Sequence, residues 1–258
     1  MSPTERRDAI LDMSRLGVSL AVEEIATRFG VSRETVRRDL ACLDDAGLLR
    51  RVHGGAVIPR LGNEPPFRER QKLNMKAKRR IGRAAAALFE PGDSVMIDTG
   101  STTEQFATAL AAKTDITAIT NSNRIATALS VGPGKSSRIF VLGGAFHADS
   151  GQILGALCIE QLATFNADHA VLGVGALSAD GRVMDYDADE ASLARAMITR
   201  AETVTILADH SKLDRQALIT VCRFETVTRL VTDLAPSGAL AEKLAASQVA
   251  VIVAAEDV

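Results

Sequence analysis

Apolar residues recur at helical spacing in the first fifth of the chain and in short runs after it, and this change of period divides the sequence. Between residues 4 and 16, Ile10, Met13 and Leu16 fall on one helical face, and Gly17 ends the run. A second short helix is predicted over 22–29, with Ile25, Ala26 and Phe29 as its apolar positions. Gly30-Val31-Ser32 reads as a turn, and the Ser32 hydroxyl suits the N-cap of a third helix. That helix, 33–46, turns Val36, Leu40 and Leu43 inward and stops at Gly47. Residues 48–57 read as two short strands around Gly54-Gly55. This is the element order of a winged helix-turn-helix, placed here at 3–58 with its reader motif at 20–39.

Pro and Gly punctuate residues 59–66, and 59–75 reads as a linker that runs into a basic helix predicted over 67–89. From residue 93 short apolar runs alternate with Ala/Leu-rich helical stretches. The runs at 94–98, 116–120, 138–142, 170–174, 204–208, 230–232 and 249–253 read as strands. Such alternation predicts a Rossmann-like α/β effector domain with a largely parallel sheet, over 76–258.

Composition adds constraints. With 47% hydrophobic and 24% charged residues, the chain can bury a core without disulfides or metals. Cys42, Cys158 and Cys222 are odd in number and lack metal-ligand spacing, so three free, buried thiols in a reducing cytoplasm are expected, with no metal and no cofactor. No apolar run has membrane-spanning length, and none of signal-peptide length follows residues 1–7. The net charge of −2 hides an asymmetry. Residues 61–83 carry eight Lys/Arg against two Asp/Glu, whereas residues 84–258 carry twelve against twenty-one. An acidic C-terminal body repels nucleic acid, so any DNA contact belongs to the N-terminal part. The basic segment is either part of that contact or a solvated linker face.

On the 33–46 helix, Glu34 and Arg38 lie opposite the apolar side, with Thr35 and Arg37 on the flanks. An arginine there can pair bidentately with guanine or with phosphate. Arg50, Arg51 and His53 on the wing suit phosphates or a minor groove. The plainer alternative is a solvated helix face with an i,i+4 pair from Glu34 to Arg38.

In the second part, Asp98-Thr99-Gly100-Ser101-Thr102-Thr103 follows a strand and opens a helix, and Ser101 and Glu104 have capping-box spacing. A helix N terminus lined with hydroxyls is an anion site, with phosphate as its natural guest, or else simply a capped helix. Thr120-Asn121-Ser122, Gly143-Gly144, Gly173–Ala176 (with Gly175) and Asp209–Lys212 end other strands, and parallel strand ends converge on a ligand crevice. Lys212 can neutralise a phosphate there. Asp185 and Glu190 can accept bonds from sugar hydroxyls, or are solvated acids.

Val31-Ser32-Arg33-Glu34-Thr35-Val36-Arg37-Arg38-Asp39-Leu40 and Leu48-Leu49-Arg50-Arg51-Val52-His53-Gly54-Gly55-Ala56 closely resemble the signature of the DeoR family of transcriptional regulators. The resemblance runs through almost the whole chain. It implies that Ser32, Arg33, Thr35, Arg37, Arg38, Arg50, Arg51 and His53 face double-stranded operator DNA. It also implies an effector domain similar in fold to ribose-5-phosphate isomerase that takes a phosphorylated sugar or polyol. The matching blocks there are Asp98–Thr103, Thr120–Ser122, Leu142–Gly144, Gly155, Asp185, Glu190 and Asp209–Lys212. Two positions depart from the family pattern: His147 stands where an arginine is common, and Ala194 where a lysine is frequent. The expected protein is therefore no enzyme but a repressor of a carbohydrate-metabolism operon, relieved by that ligand, or alternatively an activator built from the same domains, and a homodimer or larger. A sugar-phosphate isomerase has no use for Arg37, Arg38 and the wing. A pure oligomerisation module has no use for the polar strand ends.

Overall fold

In a computed structural model, residues 1–15, 20–45, 49–52, 54–57, 64–132 and 137–256 are described. The chain divides into two units, Met1–Asn63 and Glu64–Val258. Gly17 and Gly47, the expected helix ends, lie outside the described residues, as do Leu48, His53, residues 58–63 and the Arg50 side chain. The expected linker, 59–75, straddles the division, and its part from residue 64 onward belongs to the second unit.

The first unit contains helices α1 (Pro3–Arg15), α2 (Val22–Phe29) and α3 (Arg33–Asp45) and the antiparallel strands β1 (Arg50–Val52) and β2 (Gly55–Val57). Ile10, Met13, Leu20, Val22, Ile25, Val36, Leu40, Leu43, Leu49 and Ala56 form its core, with Ala26 and Phe29 partly buried against it, so the spacing-derived positions that are described face inward; Leu16 lies outside the described residues. A buried ion pair between Arg6 and Asp39 ties α1 to α3. Gly30, at φ 64°, closes α2 and begins the turn. The two wing glycines have different reasons. Gly54 takes φ 86°, which favours glycine, whereas a Cβ on Gly55 would lie 2.5 Å from the Leu20 carbonyl oxygen. That close approach lets Ala56 N–H donate to Leu20 O at 3.1 Å and joins the wing to the start of α2.

The second unit opens with α4 (Phe67–Lys72) and α5 (Met75–Ala86). The single basic helix expected over 67–89 is thus two helices. Leu73 is extended and Asn74 left-handed at φ 52°, which breaks the i→i−4 ladder between them. The chain continues through β3 (Ser94–Ile97), α6 (Ser101–Leu110), β4 (Thr117–Thr120), α7 (Asn123–Ser130), β5 (Arg138–Val141), β6 (Ala145–His147), β7 (Gln152–Leu154) and α8 (Ala156–Leu162). It ends with β8 (Ala167–Gly173), β9 (Ala176–Ser178), β10 (Arg182–Asp185), α9 (Ala188–Ile198), β11 (Ala201–Leu207), β12 (Ile219–Arg223), β13 (Arg229–Thr232), α10 (Gly238–Ala246) and β14 (Ala250–Val253).

Among the described residues, seven of these strands form one parallel sheet in the order β14-β13-β11-β8-β3-β4-β5. All seven runs expected to be strands are its members. The antiparallel β12-β10-β9 sheet and the β6-β7 hairpin are additions that the apolar pattern does not predict. Successive strand residues alternate between two cores. Met96, Ile119, Ala170, Leu172 and Ile206 pack with α8, α9 and α10; Val95, Ile97, Ala118, Val171 and Leu207 pack with α5, α6 and α7. Helices on both faces make three layers.

Of the cysteines expected to be buried, only Cys158 is fully so; Cys222 is half-buried and Cys42 is exposed. Cys42 lies on α3 away from the side that Val36, Leu40 and Leu43 bury. No helix among the described residues is long and apolar enough to cross a membrane.

Gly82 sets the approach of α5 to α6. A Cβ there would lie 2.6 Å from the backbone carbon of Gln105 and 2.7 Å from the Phe106 nitrogen. Gly82→Ala gains about 0.5–1 kcal/mol of helix propensity. Overpacking against rigid backbone costs about 1–3 kcal/mol and outweighs it. The variant is expected to unfold at lower urea concentration with an unchanged m-value; equal or greater stability would refute this account of the helix contact.

Candidate functional site: a reader helix and a strand-end crevice

Ser32 caps α3 as its sequence position predicts. Its Oγ accepts from Thr35 N–H at 3.0 Å and lies 2.9 Å from Thr35 Oγ1, so both hydroxyls are engaged within the cap. Arg33, Arg37 and Arg38 are exposed. Arg33 pairs with Glu23 at 3.0 Å, and Arg37 and Arg38 pair with Glu34 at 3.7 and 3.6 Å. The plain surface pairing is therefore present. Such exposed pairs contribute roughly 0–1 kcal/mol, whereas a bidentate guanine contact contributes about 1–3 kcal/mol. Exposed pairs of this strength hold the guanidinium groups only loosely. Arg51 is exposed on the wing, and its N–H donates to Asp44 Oδ1 at 3.4 Å.

In the second unit, β3 leads through β4 to β5 in one direction, and β8 leads through β11 and β13 to β14 in the other. The order reverses between β3 and β8, and a ligand crevice belongs outside the strand ends at such a point. The loops flanking it, Asp98–Gly100 and Gly173–Gly175, are close: a Cβ on Gly100 would lie 3.8 Å from Gly173 Cα. Gly100 is the N-cap of α6 and offers no side chain, so Ser101 is the first helical residue and the predicted capping box does not form. Glu104 accepts from Gln71 Nε2 at 2.8 Å instead. The first-turn N–H groups of α6 have no partner inside the helix. Ser101 and Thr102 are buried beside them. Thr103 is fully buried and donates to Gly100 O at 3.0 Å, and so holds the turn.

Other predicted residues divide between scaffold and crevice. Thr120 Oγ1 donates to Ile97 O at 2.7 Å, and Ser122 caps α7. Gly143 N–H donates to Gln161 at 2.7 Å, Gly144 packs on Leu154, Gly155 precedes α8, and Gly175 lies against the Tyr186 ring. Asn121 Nδ2 donates to Ile153 O at 3.2 Å, while its Oδ1, like Thr99 Oγ1, is buried without a hydrogen-bond partner. Of the two family departures, His147 is exposed on β6 and Ala194 is buried in the α9 core.

Three acids share the crevice. Burial, then the neighbouring Glu190 and Asp185, holds the Asp98 carboxyl well above the usual carboxylate range. Burial, then Glu190 and Glu64, pushes Asp185 up to about 7. Burial also raises Glu190, partly offset by a 2.7 Å bond from Gln152 Nε2. Cations gather here from Lys212 and from residues that the sequence motifs do not single out. Glu64 accepts from Lys212 Nζ at 2.8 Å and pairs with Arg70 Nη1 at 2.8 Å. Lys78 donates to Arg70 O at 2.6 Å and lies 3.8 Å from Asp209, which also accepts from Asn74 Nδ2 at 3.0 Å. Burial pushes the Lys78 ammonium down to about 8. The eight Lys/Arg of residues 61–83 are the available signal, but their density suggests a DNA-facing or solvated surface. Arg70, Lys78 and Arg80 instead turn to the acids Glu64, Asp209 and Asp233.

A helix-turn-helix reader with exposed arginines and an α/β unit with a charged strand-end crevice define a class, the ligand-responsive transcription regulators. Residues 6–60 match the DeoR-like helix-turn-helix domain and residues 73–234 the DeoR C terminal sensor domain. The chain belongs to the DeoR family. It is 34% identical over 258 residues to the HTH-type transcriptional repressor GlcR of Bacillus subtilis, covering 100% of this chain and 98% of that one. It is 30% identical over 236 residues to the glycerol-3-phosphate regulon repressor of Escherichia coli, covering 92% and 93%. These relatives are regulators, not enzymes. Among solved structures, a chain of the tetrameric eIF2B-β2δ2 complex from C. thermophilum shares the fold, at a TM-score of 0.50 and 14% identity over 94% of this chain and 72% of that one. Ribose 5-phosphate isomerase A from Methanocaldococcus jannaschii aligns at a TM-score of 0.40 and 16% identity over 54% and 55%.

The raised Asp185 pKa fixes a sign. The folded chain holds a proton that the unfolded chain has lost, so this group weakens the fold as pH rises from about 4 to about 7. Asp185→Asn keeps the acceptor that Tyr186 N–H uses. Each tenfold change in proton affinity corresponds to about 1.4 kcal/mol. Discounted for relaxation of the site, the substitution is expected to raise stability at pH 8 by roughly 1–3 kcal/mol and to lose that gain toward pH 4. Thermal unfolding across pH checks this; a gain that does not change with pH would refute it.

Proposed function

We propose that this protein is a repressor of a carbohydrate-utilisation operon, acting in the cytoplasm as a homodimer or larger, and released from its operator by a phosphorylated sugar or polyol. The carrying observation is the crevice at the strand-order reversal. The N terminus of α6, with Ser101 and Thr102 buried beside it, supports an anion site, and Lys212 supplies positive charge from a neighbouring strand end. Asp98, Asp185 and Glu190, with Asn121 Oδ1 and Thr99 Oγ1 unpartnered, supply the acceptors and, where protonated, the donors that a polyhydroxylated ligand requires. Relatives named as repressors support the direction of control.

One winged helix contacts one half-site, so two-fold assembly and a repeated operator follow. On α3, Arg37 and Arg38 read bases or phosphates, with Arg33 beside them and Arg50, Arg51 and His53 on the wing. Ser32 and Thr35 act chiefly through the cap.

Calorimetry with glycerol 3-phosphate and a panel of sugar phosphates, each beside its unphosphorylated parent, tests the sensor. The expected result is at least tenfold preference for one phosphate ester, lost in Thr102→Ala; equal affinity for ester and parent would overturn the assignment. Arg37→Ala/Arg38→Ala is expected to lose specific operator binding by about 1–3 kcal/mol per base contact, with effector binding intact. A uniform loss on all DNA with a shallower salt slope would assign these residues to phosphates, and unchanged affinity would remove α3 as the reader.

A further inference from the structure

Glu64 is the first residue of the sensor unit, and only residues 58–63 separate it from the last wing strand. Its carboxylate lies within the crevice and is 12% exposed, with one oxygen 2.8 Å from Lys212 Nζ and the other 2.8 Å from Arg70 Nη1. Arg70 is itself fixed. Its guanidinium lies 5.3 Å from the Phe67 ring centroid, its backbone carbonyl accepts from Lys78, and its Nε is buried without a partner. Lys212 and Arg70 are like charges held together in a half-buried place, which requires an anion between them. Asp209 is engaged by Ser211, Asn74 and Lys78, so Glu64 meets that requirement.

We propose that Glu64 is a resident stand-in for the effector's phosphate: Arg70 and Lys212 bind the phosphate when ligand arrives, and the carboxylate gives up its place between them. The proposal rests on the phosphorylated-effector reading above and names the residues that hold the phosphate. A phosphate monoester carries −1.5 to −2 charge near pH 7 and three strong acceptor oxygens, against one charge and two oxygens for a carboxylate. It satisfies a guanidinium fork and an ammonium together more fully than Glu64 does. Glu64 is held on its pairs because the Lys212 and Arg70 charges outweigh the burial that would otherwise raise its pKa, and net hold it below the usual carboxylate range. Tethering gives it a high local concentration, so it competes with free phosphate without being irreplaceable.

The test uses the full chain, with inorganic phosphate and glycerol 3-phosphate as probes. In Glu64→Gln the competing charge is gone, and calorimetry is expected to show phosphate binding at least tenfold tighter than in the unaltered protein, the gain vanishing in Glu64→Gln/Arg70→Gln. Phosphate affinity that is equal or weaker in Glu64→Gln would overturn the stand-in role while leaving the effector reading in place. Failure of both probes to bind any of these proteins would overturn this inference, while the sugar-phosphate panel above decides the effector reading separately.

Discussion

A parallel sheet obliges all its strands to end on the same edge, and in the sensor unit nearly all the chemistry follows from that constraint. Seven strand ends deliver their loops to one rim, and the reversal of strand order between β3 and β8 opens a crevice in it. The same geometry points the N termini of α6 and α7 toward that rim. Polar loops brought together there lose water, so their charges must answer one another. Asp98, Asp185 and Glu190 respond with a raised proton affinity. Lys212, Arg70 and Lys78 respond by pairing with Glu64 and Asp209. A site built in this way is polar yet partly neutral, which suits a ligand that is hydroxylated at one end and anionic at the other.

The parts of the fold that repeat a period were legible in the sequence. Helices α1 to α3 and all seven parallel strands fall where apolar spacing places them; the helices bury one face and the inner strands both, while the edge strands β5 and β14 keep an apolar run although their residues stay largely exposed. The short antiparallel elements β6, β7, β9, β10 and β12 were not legible. They are three to five residues long, and their pairing is set by loops rather than by a pattern of their own. The break at Leu73-Asn74 was hidden for a different reason. Asparagine tolerates the left-handed conformation without being a strong helix breaker, so the basic run looks continuous.

The candidate site was legible where it coincides with strand ends and illegible where it comes from upstream. Asp98, Asp185, Glu190 and Lys212 follow strands or start helices, and their position announced them. Glu64, Arg70 and Lys78 lie in a charged segment whose composition looks like solvent-exposed surface, and only the tertiary structure turns it inward. Several hydroxyls and glycines picked out as ligand contacts, among them Thr103, Thr120 and Gly144, hold the loops in shape instead. Motif position identifies the neighbourhood of a site more readily than it divides the residues that touch a ligand from those that carry them.

The unequal burial of the three thiols gives the reader helix a handle of its own. Burial pushes Cys158 up to about 11 and Cys222 up to about 12, so neither forms an appreciable amount of thiolate near neutral pH. Cys42 is exposed on α3, one helical turn beyond Arg38, with the Arg7 guanidinium 2.6 Å from its sulfur. A maleimide fluorophore at neutral pH therefore addresses one position on the DNA-facing unit of the native chain, without engineered cysteines. Its emission would report directly on what approaches that helix.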